Sequence, residues 1–364
     1  MEKTIRMGML PVVLIWLALA VGAWLRTPDG VSTQERRELA QFPELTVENL
    51  QSGKFMTDFE SYTLDQFPLR NGFCRLKAGF HYGVLRQKDN NGIYLTQGHA
   101  GKLEYPLNET AVNRALEIFQ RITQKHLEDS RVFLAVVPDK SFYLAQSNGY
   151  PTMDYDALLQ MAANLQGVSY VNVTDCLTAE DYYRTDTHWR QENLFAAAGR
   201  LSQALGIPAP QPGNYTVESV AQPFYGVYYG QAALPMEPDT LRLLRNEMLD
   251  ACRVYNHETG KYGSIYDMTK VSGNDLYEVY LSGSVSLLTI ENPNATTDRE
   301  LILFRDSFGS SMAPLLFQGY KSVTLVDIRY LPTAMLDRFI KFKGQDVLFL
   351  YSTLVLNNGQ TLQG

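Results

Sequence analysis

The fold is decided by residues 301–351, LILFRDSFGSSMAPLLFQGYKSVTLVDIRYLPTAMLDRFIKFKGQDVLFLY, in which short apolar runs alternate with stretches of helical length. Three of these runs are apolar on both faces and are predicted to be strands: Leu301–Phe304, Ser322–Val326 and Val347–Tyr351. Helices are expected between them, at about Ser310–Phe317 and about Pro332–Phe342. Strands that are apolar on both faces and alternate with helices form a parallel sheet that is covered on both sides.

The same alternation precedes this stretch. Val132–Val137 (VFLAVV) is an apolar run stopped by Pro138, and Ser169–Val173 is a second strand-like run. The helices expected around them are residues 112–122, where apolar side chains recur at helical spacing, Tyr155–Leu165 and Gln191–Leu205. Five such strands predict a doubly wound α/β core.

A different pattern interrupts the core at about residues 211–294, which are rich in Tyr and Gly. This stretch predicts irregular or antiparallel β structure inserted between the last of those helices and the third strand. Residues 108–364 are therefore predicted to be one α/β domain with an insertion. Residues 27–107 are predicted to be an N-terminal extension, with a helix at about Val47–Leu64.

Composition excludes several classes of protein. The chain has 364 residues, of which 45% are hydrophobic and 20% charged, as in ordinary globular proteins. Its formal net charge of -7, with no run of Lys or Arg, argues against binding to nucleic acid. Cys74, Cys176 and Cys252 are far apart, which argues against a disulfide framework and a structural metal but leaves a single disulfide open.

The amino end predicts a membrane segment. Met7–Leu25 (MGMLPVVLIWLALAVGAWL) is uncharged and long enough as a helix to cross the hydrocarbon layer. Lys3 and Arg6 precede it, so the amino terminus is expected inside the cell and the rest of the chain outside. Residues 1–26 are thus predicted to be an uncleaved signal anchor, and the alternative is a signal peptide cut after small residues such as Val21 and Ala23.

Chemistry is expected where the carboxyl ends of the parallel strands meet. Lys140 follows the first strand, and a loop after the second strand carries Asp186 and His188. Ser307 follows the third strand and Arg329 follows the fourth. An Asp, a His and a Ser are therefore predicted to leave the same edge of the sheet.

These three residue types suit nucleophilic catalysis. Ser307 is placed where backbone N–H groups of a following helix stabilise an anion, and His188 is the base best placed to activate it. Asp186 is two residues before His188 and points the same way in an extended loop, so its carboxylate is expected to orient the imidazole. The alternatives are that Asp-x-His is only a loop turn and that the Ser is only a helix cap.

Further residues at this edge are candidates for oxyanion or substrate binding: Lys140, Trp189, Arg329 and Tyr330. The alternative for Lys140 and Arg329 is that they are only surface or structural charges. The alternative for the Tyr-rich insertion is that it is only the surface of a twisted sheet. Exposed Tyr side chains and Trp189 would also suit stacking on sugar rings. No metal site is predicted, because no further carboxylate or His lies near Asp186 and His188 in sequence.

Seven sequence blocks, which keep their order along the chain, resemble those of a known family. They are RELAQFP, FESYTLDQFPLR, VVPDKSFY, YYRTDTHW, YEVYLSGS, LILFRDSFGSSMAPLL and LVDIRYL. Together they resemble the DHHW family of Gram-positive exported proteins over about residues 36–351. That family is similar in turn to the alginate O-acetyltransferases of the SGNH-hydrolase-like group.

The resemblance implies a flavodoxin-like, SGNH-hydrolase-like core in which Asp-x-His precedes the nucleophile. It implies that Ser307 is the nucleophile, His188 the base and Asp186 its orienting acid. Two departures are visible. Thr187 occupies the second position of the family's tetrad, and Ser282-Gly283-Ser284 stands where related sequences show Gly-Gly-Asn. With no Asn at this place, Arg329 or the Ser307 amide is expected to hold the oxyanion.

The function implied is a membrane-anchored, extracytoplasmic O-acetyltransferase that modifies hydroxyls of an exopolysaccharide or cell-wall glycan through an acetyl-serine intermediate. It needs no cofactor, since the resemblance implies that a polytopic membrane-bound O-acyltransferase supplies the acyl group. Two alternatives stay open at this point. One is a serine-dependent carbohydrate esterase that removes acetyl groups, and the other is a non-catalytic glycan-binding or scaffold protein with the same fold.

Overall fold

The computed structural model describes residues 2–32, 35 and 37–364, without the side chains of residues 2–10 and 12. The α-helices are α1 Glu2–Leu25, α2 Val47–Gln51, α3 Lys54–Asp65, α4 Arg70–Gly83, α5 Glu109–His126, α6 Ser141–Leu144, α7 Tyr155–Ala163, α8 Phe195–Leu205, α9 Val227–Ala232, α10 Glu247–Ala251, α11 Ser307–Met312, α12 Leu336–Phe339 and α13 Thr353–Asn357. The strands are β1 Val31–Ser32, β2 Arg37–Glu38, β3 Asp89–Asn90, β4 Ile93–Thr96, β5 His99–Lys102, β6 Val132–Val137, β7 Ser169–Tyr170, β8 Thr216–Phe224, β9 Asp239–Arg245, β10 Arg253–Asn256, β11 Lys261–Gly263, β12 Leu287–Glu291, β13 Glu300–Arg305, β14 Ser322–Val326 and β15 Asp346–Ser352.

The chain divides into two compact units. The first contains the residues up to Asn91 together with Tyr229–Pro235, and the second contains Gly92–Tyr228 and Met236–Gly364. The second unit holds the large sheet. The domain boundaries taken from the sequence stay a prediction.

The large sheet has the order β11-β10-β12-β14-β13-β15-β6-β7. The five strands from β14 to β7 run parallel, and β12, β10 and β11 continue the sheet in antiparallel pairing. The predicted α/β class with a mostly parallel sheet is therefore correct. The antiparallel strands expected within residues 211–294 are also present, and three of them extend the large sheet.

The order of the parallel strands is a permuted version of the flavodoxin-like one. Numbered along the chain, the strands lie in the order 2-1-5-3-4 across the sheet, whereas a flavodoxin-like sheet has 2-1-3-4-5. If the count begins at β13 instead of β6, the same sheet has the order 2-1-3-4-5. The spatial arrangement is thus flavodoxin-like, but the chain enters it at the fourth position.

Both faces of the sheet are covered. Helices α5, α7 and α12 pack on one face with the inward side chains of β6, β13 and β15. Helix α8, the 3₁₀ segment Ala313–Gly319 and the β8–β9 hairpin pack on the other. The segment after β13 packs on the second face, and helix α13 after β15 packs on the first. Adjacent strands that lead to opposite faces leave a crevice between their carboxyl ends, where ligands bind in open α/β sheets.

Several expected helices differ in their bounds. The helix expected at Val47–Leu64 is split into α2 and α3 at Gly53, whose φ of 76° is left-handed and cannot continue a helix. The helix expected at Ser310–Phe317 begins earlier, at Ser307, and becomes 3₁₀ from Ala313. The helix expected at Pro332–Phe342 is a short 3₁₀ turn followed by α12.

The first unit contains α1 to α4. Phe42 contacts Phe55, Phe59 and Tyr62 edge to face, and these rings hold the chain before α2 against α3. Arg37 pairs with Asp65 at 2.5 Å, and the side-chain hydrogen bond from Arg37 keeps the pKa of Asp65 below its ordinary value.

The membrane helix expected at Met7–Leu25 is not supported by the described residues. Its backbone lies in α1, but part of the expected run, residues 7–10 and Val12, is outside the described side chains. Within the part of the chain that the structure describes, no helix is both long and apolar enough to cross a membrane. The disulfide left open by the sequence does not form, because Cys74, Cys176 and Cys252 are all free thiols.

Candidate functional site

Ser307 lies at the start of α11, directly after β13. Asp306 caps this helix, because its Oδ1 accepts from the Phe308 N–H at 3.0 Å. Its Oδ2 accepts from the Ser352 N–H at 2.8 Å, at the end of the neighbouring β15. Asp306 is fully buried and so ties together the two strand ends that border the crevice. Ser307 is thereby fixed at the mouth of that crevice.

His188 lies within hydrogen-bonding distance of both predicted partners. Its Nε2 is 2.8 Å from Ser307 Oγ, and its Nδ1 is 2.6 Å from Asp186 Oδ1. The same Asp186 oxygen accepts from the His188 backbone N–H at 3.0 Å, which fixes the loop around the ring. With the ring proton on Nδ1, Nε2 accepts from the Ser307 hydroxyl, as a general base requires.

Asp186 is held by the residues at the start of α9. It is fully buried, and its Oδ2 accepts from the Val227 N–H at 2.9 Å. Gly226 lies directly against it, since a Cβ on Gly226 would be 2.2 Å from the Asp186 Cβ. Only a glycine fits this close approach, so the insertion contributes the support for the carboxylate.

Thr185 and Asp239 complete this support. Asp239 accepts from the backbone N–H groups of Arg184 and Thr185 at 2.9 and 2.8 Å, and from the Thr185 hydroxyl at 2.6 Å. The Thr185 hydroxyl in turn accepts from the Gly226 N–H at 2.8 Å. A buried carboxylate on β9 thus fixes the loop that carries Asp186.

Tyr277 stacks on the His188 ring. The two ring centroids are 3.8 Å apart and the planes differ by 7°. The Tyr277 hydroxyl is 2.7 Å from Ser311 Oγ, which also accepts from the Trp189 indole N–H at 2.8 Å. The imidazole is therefore held by a ring on the face, as well as by hydrogen bonds at its edge.

Trp189 is not accessible, so it does not serve as the candidate surface for stacking on a sugar. It is fully buried, and its indole N–H also donates to the Phe308 carbonyl at 3.2 Å. Its ring lies edge to face with Phe308 at 5.4 Å. The reason is that α11 packs directly on the residue after His188, so Trp189 fixes the Ser307 helix relative to the His188 loop.

Lys140 is buried behind the loop and does not line an open oxyanion site. Its Nζ donates to the carbonyls of Tyr183 and Arg184, at 2.7 and 3.2 Å, and lies 5.2 Å from the centroid of the Tyr228 ring. Burial lowers its pKa to about 7, against the opposing effect of Asp186 and other nearby carboxylates. In this position the lysine supports the Asp186 loop.

Arg329 is engaged by a carboxylate. It pairs with Asp327 through Nε at 2.9 Å and Nη2 at 2.7 Å. Desolvation lowers the pKa of the guanidinium, but the hydrogen bonds to Asp327 outweigh it, so the pKa is raised above its ordinary value. Its guanidinium lies 5.4 Å from the centroid of Tyr330, which is half exposed. Arg305, which is fully buried, lies 3.6 Å from the same Asp327 carboxylate. The structure thus gives Arg329 a structural partner, and its role toward an oxyanion stays a prediction.

Metal binding was not expected at this site. Among the residues that the structure describes, no group of three or more His, Cys, Asp or Glu side chains is arranged to hold a metal ion.

The chain thus combines a mostly parallel α/β sheet with a hydrogen-bonded Ser–His–Asp constellation at one end of its strands. The family model described as "DHHW protein" matches residues 157–326, which confirms the resemblance to the DHHW family. This segment contains Asp186, His188 and Ser307. No curated protein matches the chain.

Three solved structures show how far the likeness extends. A DHHW family protein from Eubacterium siraeum is 23% identical, with a TM-score of 0.62, over 75% of this chain and 95% of that one. Bacillus cereus PatB1 is 17% identical, with a TM-score of 0.60, over 75% and 99%, and has also been solved with a sulfonyl adduct. The O-acetyltransferase domain of Pseudomonas putida AlgJ is 15% identical, with a TM-score of 0.43, over 73% and 92%. The first two share the fold of this chain.

The supports of the site are not evident from the sequence. Gly226, Val227, Asp239 and Tyr277 all come from the Tyr-rich insertion, which was read as a surface. The spacing of these residues carries no signal that they meet Asp186 and His188. A Gly after Phe-Tyr in a β-rich stretch is a marker of close approach, but it does not identify the partner.

Proposed function

We propose that this protein is a serine-dependent O-acetyltransferase that acetylates hydroxyl groups of an exopolysaccharide or cell-wall glycan. The observation that carries the proposal is the continuous hydrogen-bonded relay from Asp186 through His188 to Ser307. Such a relay activates a hydroxyl for attack on an acyl carbon, and it has no evident structural purpose at the mouth of a crevice.

In the first half of the reaction, the Ser307 oxygen attacks the acetyl carbonyl of a donor ester while His188 Nε2 takes the hydroxyl proton. The bond between the acetyl carbon and the donor oxygen breaks, and His188 returns the proton to the leaving oxygen. Asp186 stabilises the imidazolium that forms between these two steps. The product is acetyl-Ser307 and a free donor alcohol.

In the second half, a sugar hydroxyl gives its proton to His188 and attacks acetyl-Ser307. Collapse of the tetrahedral intermediate releases the acetylated sugar and restores the Ser307 hydroxyl, which regains the proton from His188. The Ser307 amide is a candidate oxyanion donor, because the first N–H groups of a helix have no partner within that helix.

A transfer assay tests this proposal against its alternatives. Purified protein is given a chromogenic acetyl ester with and without an oligosaccharide acceptor, beside Ser307→Ala and His188→Ala. Acetylated sugar that depends on both residues supports the transferase. Acetate alone, with no acetylated sugar, would indicate an esterase, and no turnover by any form would count against both enzyme activities.

The donor and the location belong to the same proposal. We infer that a polytopic membrane-bound O-acyltransferase supplies the acetyl group and that the α/β domain acts outside the cytoplasm, anchored at its amino end. Cleavage of the domain by protease added to intact, wall-stripped cells would support that location. Protection of the domain until the cells are lysed would contradict it.

A further inference from the structure

A row of large apolar side chains lies on the outer face of α4. The residues of this row, here called the apolar stripe, are Leu69, Phe73, Leu76, Phe80 and Val84. They are spaced by four, three, four and four residues, so they share one face of the helix. Their exposed fractions lie between 45% and 73%. The stripe begins at the residue before α4 and ends at the residue after it.

The opposite face of α4 is the more buried one. Ala78 is fully buried, and Cys74 and Tyr82 are half-buried. A surface helix of a soluble protein buries its bulky apolar face and exposes its small and polar side chains. In α4 the bulkier apolar face is turned outward instead, which marks an interaction surface.

Within the segment that carries the stripe, the charged side chains are all basic, while acidic side chains at Glu35, Asp65 and Asp89 lie outside it. Residues 66–88 contain five basic and no acidic side chains, in a chain whose net charge is -7. Arg70 pairs with Glu35 at 2.8 Å, whereas Arg75, Lys77 and Arg86 are exposed. An exposed apolar face with basic side chains around it complements a surface of anionic lipids.

The stripe is continuous with two other rings of the same unit. Phe73 lies 5.4 Å from Phe67, and Phe67 lies 6.2 Å from Trp16 on α1, whose side chain is also mostly exposed. Phe73 on α4 and Trp16 on α1 are therefore linked through Phe67, which is half-buried. Tryptophan and phenylalanine are preferred at the boundary between headgroups and acyl chains.

We propose that α4 is an in-plane membrane-binding helix, with the apolar stripe among the acyl chains and the basic side chains among anionic headgroups. The helix has 14 residues and is about 21 Å long, which is too short to cross a hydrocarbon core of about 30 Å. A second copy of this chain is a poorer occupant, because pairing two such faces would bring like charges together. This proposal is independent of the acetyl-transfer chemistry.

The test uses the full chain reconstituted in lipid vesicles, with a readout confined to α4. An environment-sensitive fluorophore is attached at Phe80→Cys in a background with Cys74→Ser and Cys176→Ser, since Cys252 is buried. Vesicles contain either phosphatidylglycerol or only phosphatidylcholine, together with lipids that carry a quencher on the acyl chain. The control has the same fluorophore at Val217→Cys, an exposed position on β8.

We expect quenching from the acyl chains at position 80 in phosphatidylglycerol vesicles, and none at position 217. High salt should reduce the quenching. Replacing Lys77, which flanks the stripe, with Gln should weaken the insertion of α4 about fivefold, from about 1 kcal/mol per basic side chain at an anionic surface.

Two results would overturn the proposal. In the first, the fluorophore at position 80 stays as accessible to water as at position 217 in both vesicles, although the chain is bound. In the second, its emission depends on protein concentration and not on lipid composition, which would indicate contact with a second copy. Activity plays no part in these readouts, so failure here and failure of the proposed function are distinguishable.

Discussion

Replacing Gly226 with Ala should disable the site while leaving the fold intact. The added Cβ would lie 2.2 Å from the Asp186 Cβ and 2.3 Å from its Cα, where ordinary contacts begin near 3.4 Å. The two segments must therefore separate by about 1.2 Å. The added Cβ would contact the Asp186 Cα and Cβ, so a change of side-chain rotamer cannot relieve the clash. The Val227 N–H, which donates a hydrogen bond to Asp186, moves together with Gly226.

A displacement of about 1 Å at a catalytic group costs on the order of 100-fold in rate, or about 2.7 kcal/mol. We expect kcat for a chromogenic acetyl ester to fall by about that factor in Gly226→Ala. The matched control is Gly199→Ala in α8, where a Cβ meets no atom within 4 Å. That change should leave kcat unchanged and stabilise the protein by about 0.5–1 kcal/mol.

Thermal unfolding separates a damaged site from a damaged fold. Gly226→Ala should melt cooperatively, with a loss of activity larger than its loss of folded protein at the assay temperature. If Gly226→Ala is folded and its kcat is within twofold of the wild type, the close approach to Asp186 has no role in positioning it.

Three further changes address the surroundings of the relay. Tyr277→Phe should retain the stack on His188, whereas Tyr277→Leu should lower kcat by a further two- to tenfold, from about 0.5–1.5 kcal/mol of ring stacking; equal rates for the two variants would exclude a role for the stack. Trp189→Phe removes the donor to Ser311, so urea unfolding should show a loss of about 1–3 kcal/mol, and an unchanged midpoint would contradict this contact. Burial lowers the pKa of Lys140 from 10.5 to about 7 in the folded protein. At pH values between these two, the unfolded chain holds a proton on Lys140 that the folded protein has lost, so the unfolding free energy should rise with pH across this range. That rise should be smaller in Lys140→Met, and an identical pH dependence would place the lysine outside the core.

The strands of the core could be predicted because burial on both faces leaves a direct mark on the sequence. Val132–Val137 and Leu301–Phe304 are apolar throughout, and both are strands of the parallel sheet. The order of those strands could not be predicted, since it depends on contacts between residues far apart in the chain. The permuted entry at the fourth position explains why Asp186 and His188 precede Ser307 along the chain.

Asp186, His188 and Ser307 could be placed near one another because all three follow core strands at the same edge of the sheet. The positions of the side chains that surround them could not be predicted from the sequence. Trp189 was a candidate for substrate binding, but it is buried by the docking of α11, which no local pattern encodes. Tyr277 lies in a stretch whose Tyr and Gly content is equally typical of an exposed sheet.

The most direct test of the relay is the identity of the residue that reacts with an acyl or sulfonyl donor. The protein is treated with a sulfonyl fluoride, digested and analysed by mass spectrometry, beside His188→Ala. Our account predicts one adduct, on Ser307, formed much more slowly in His188→Ala. An adduct on another hydroxyl, or equal reaction at Ser307 with and without His188, would contradict it.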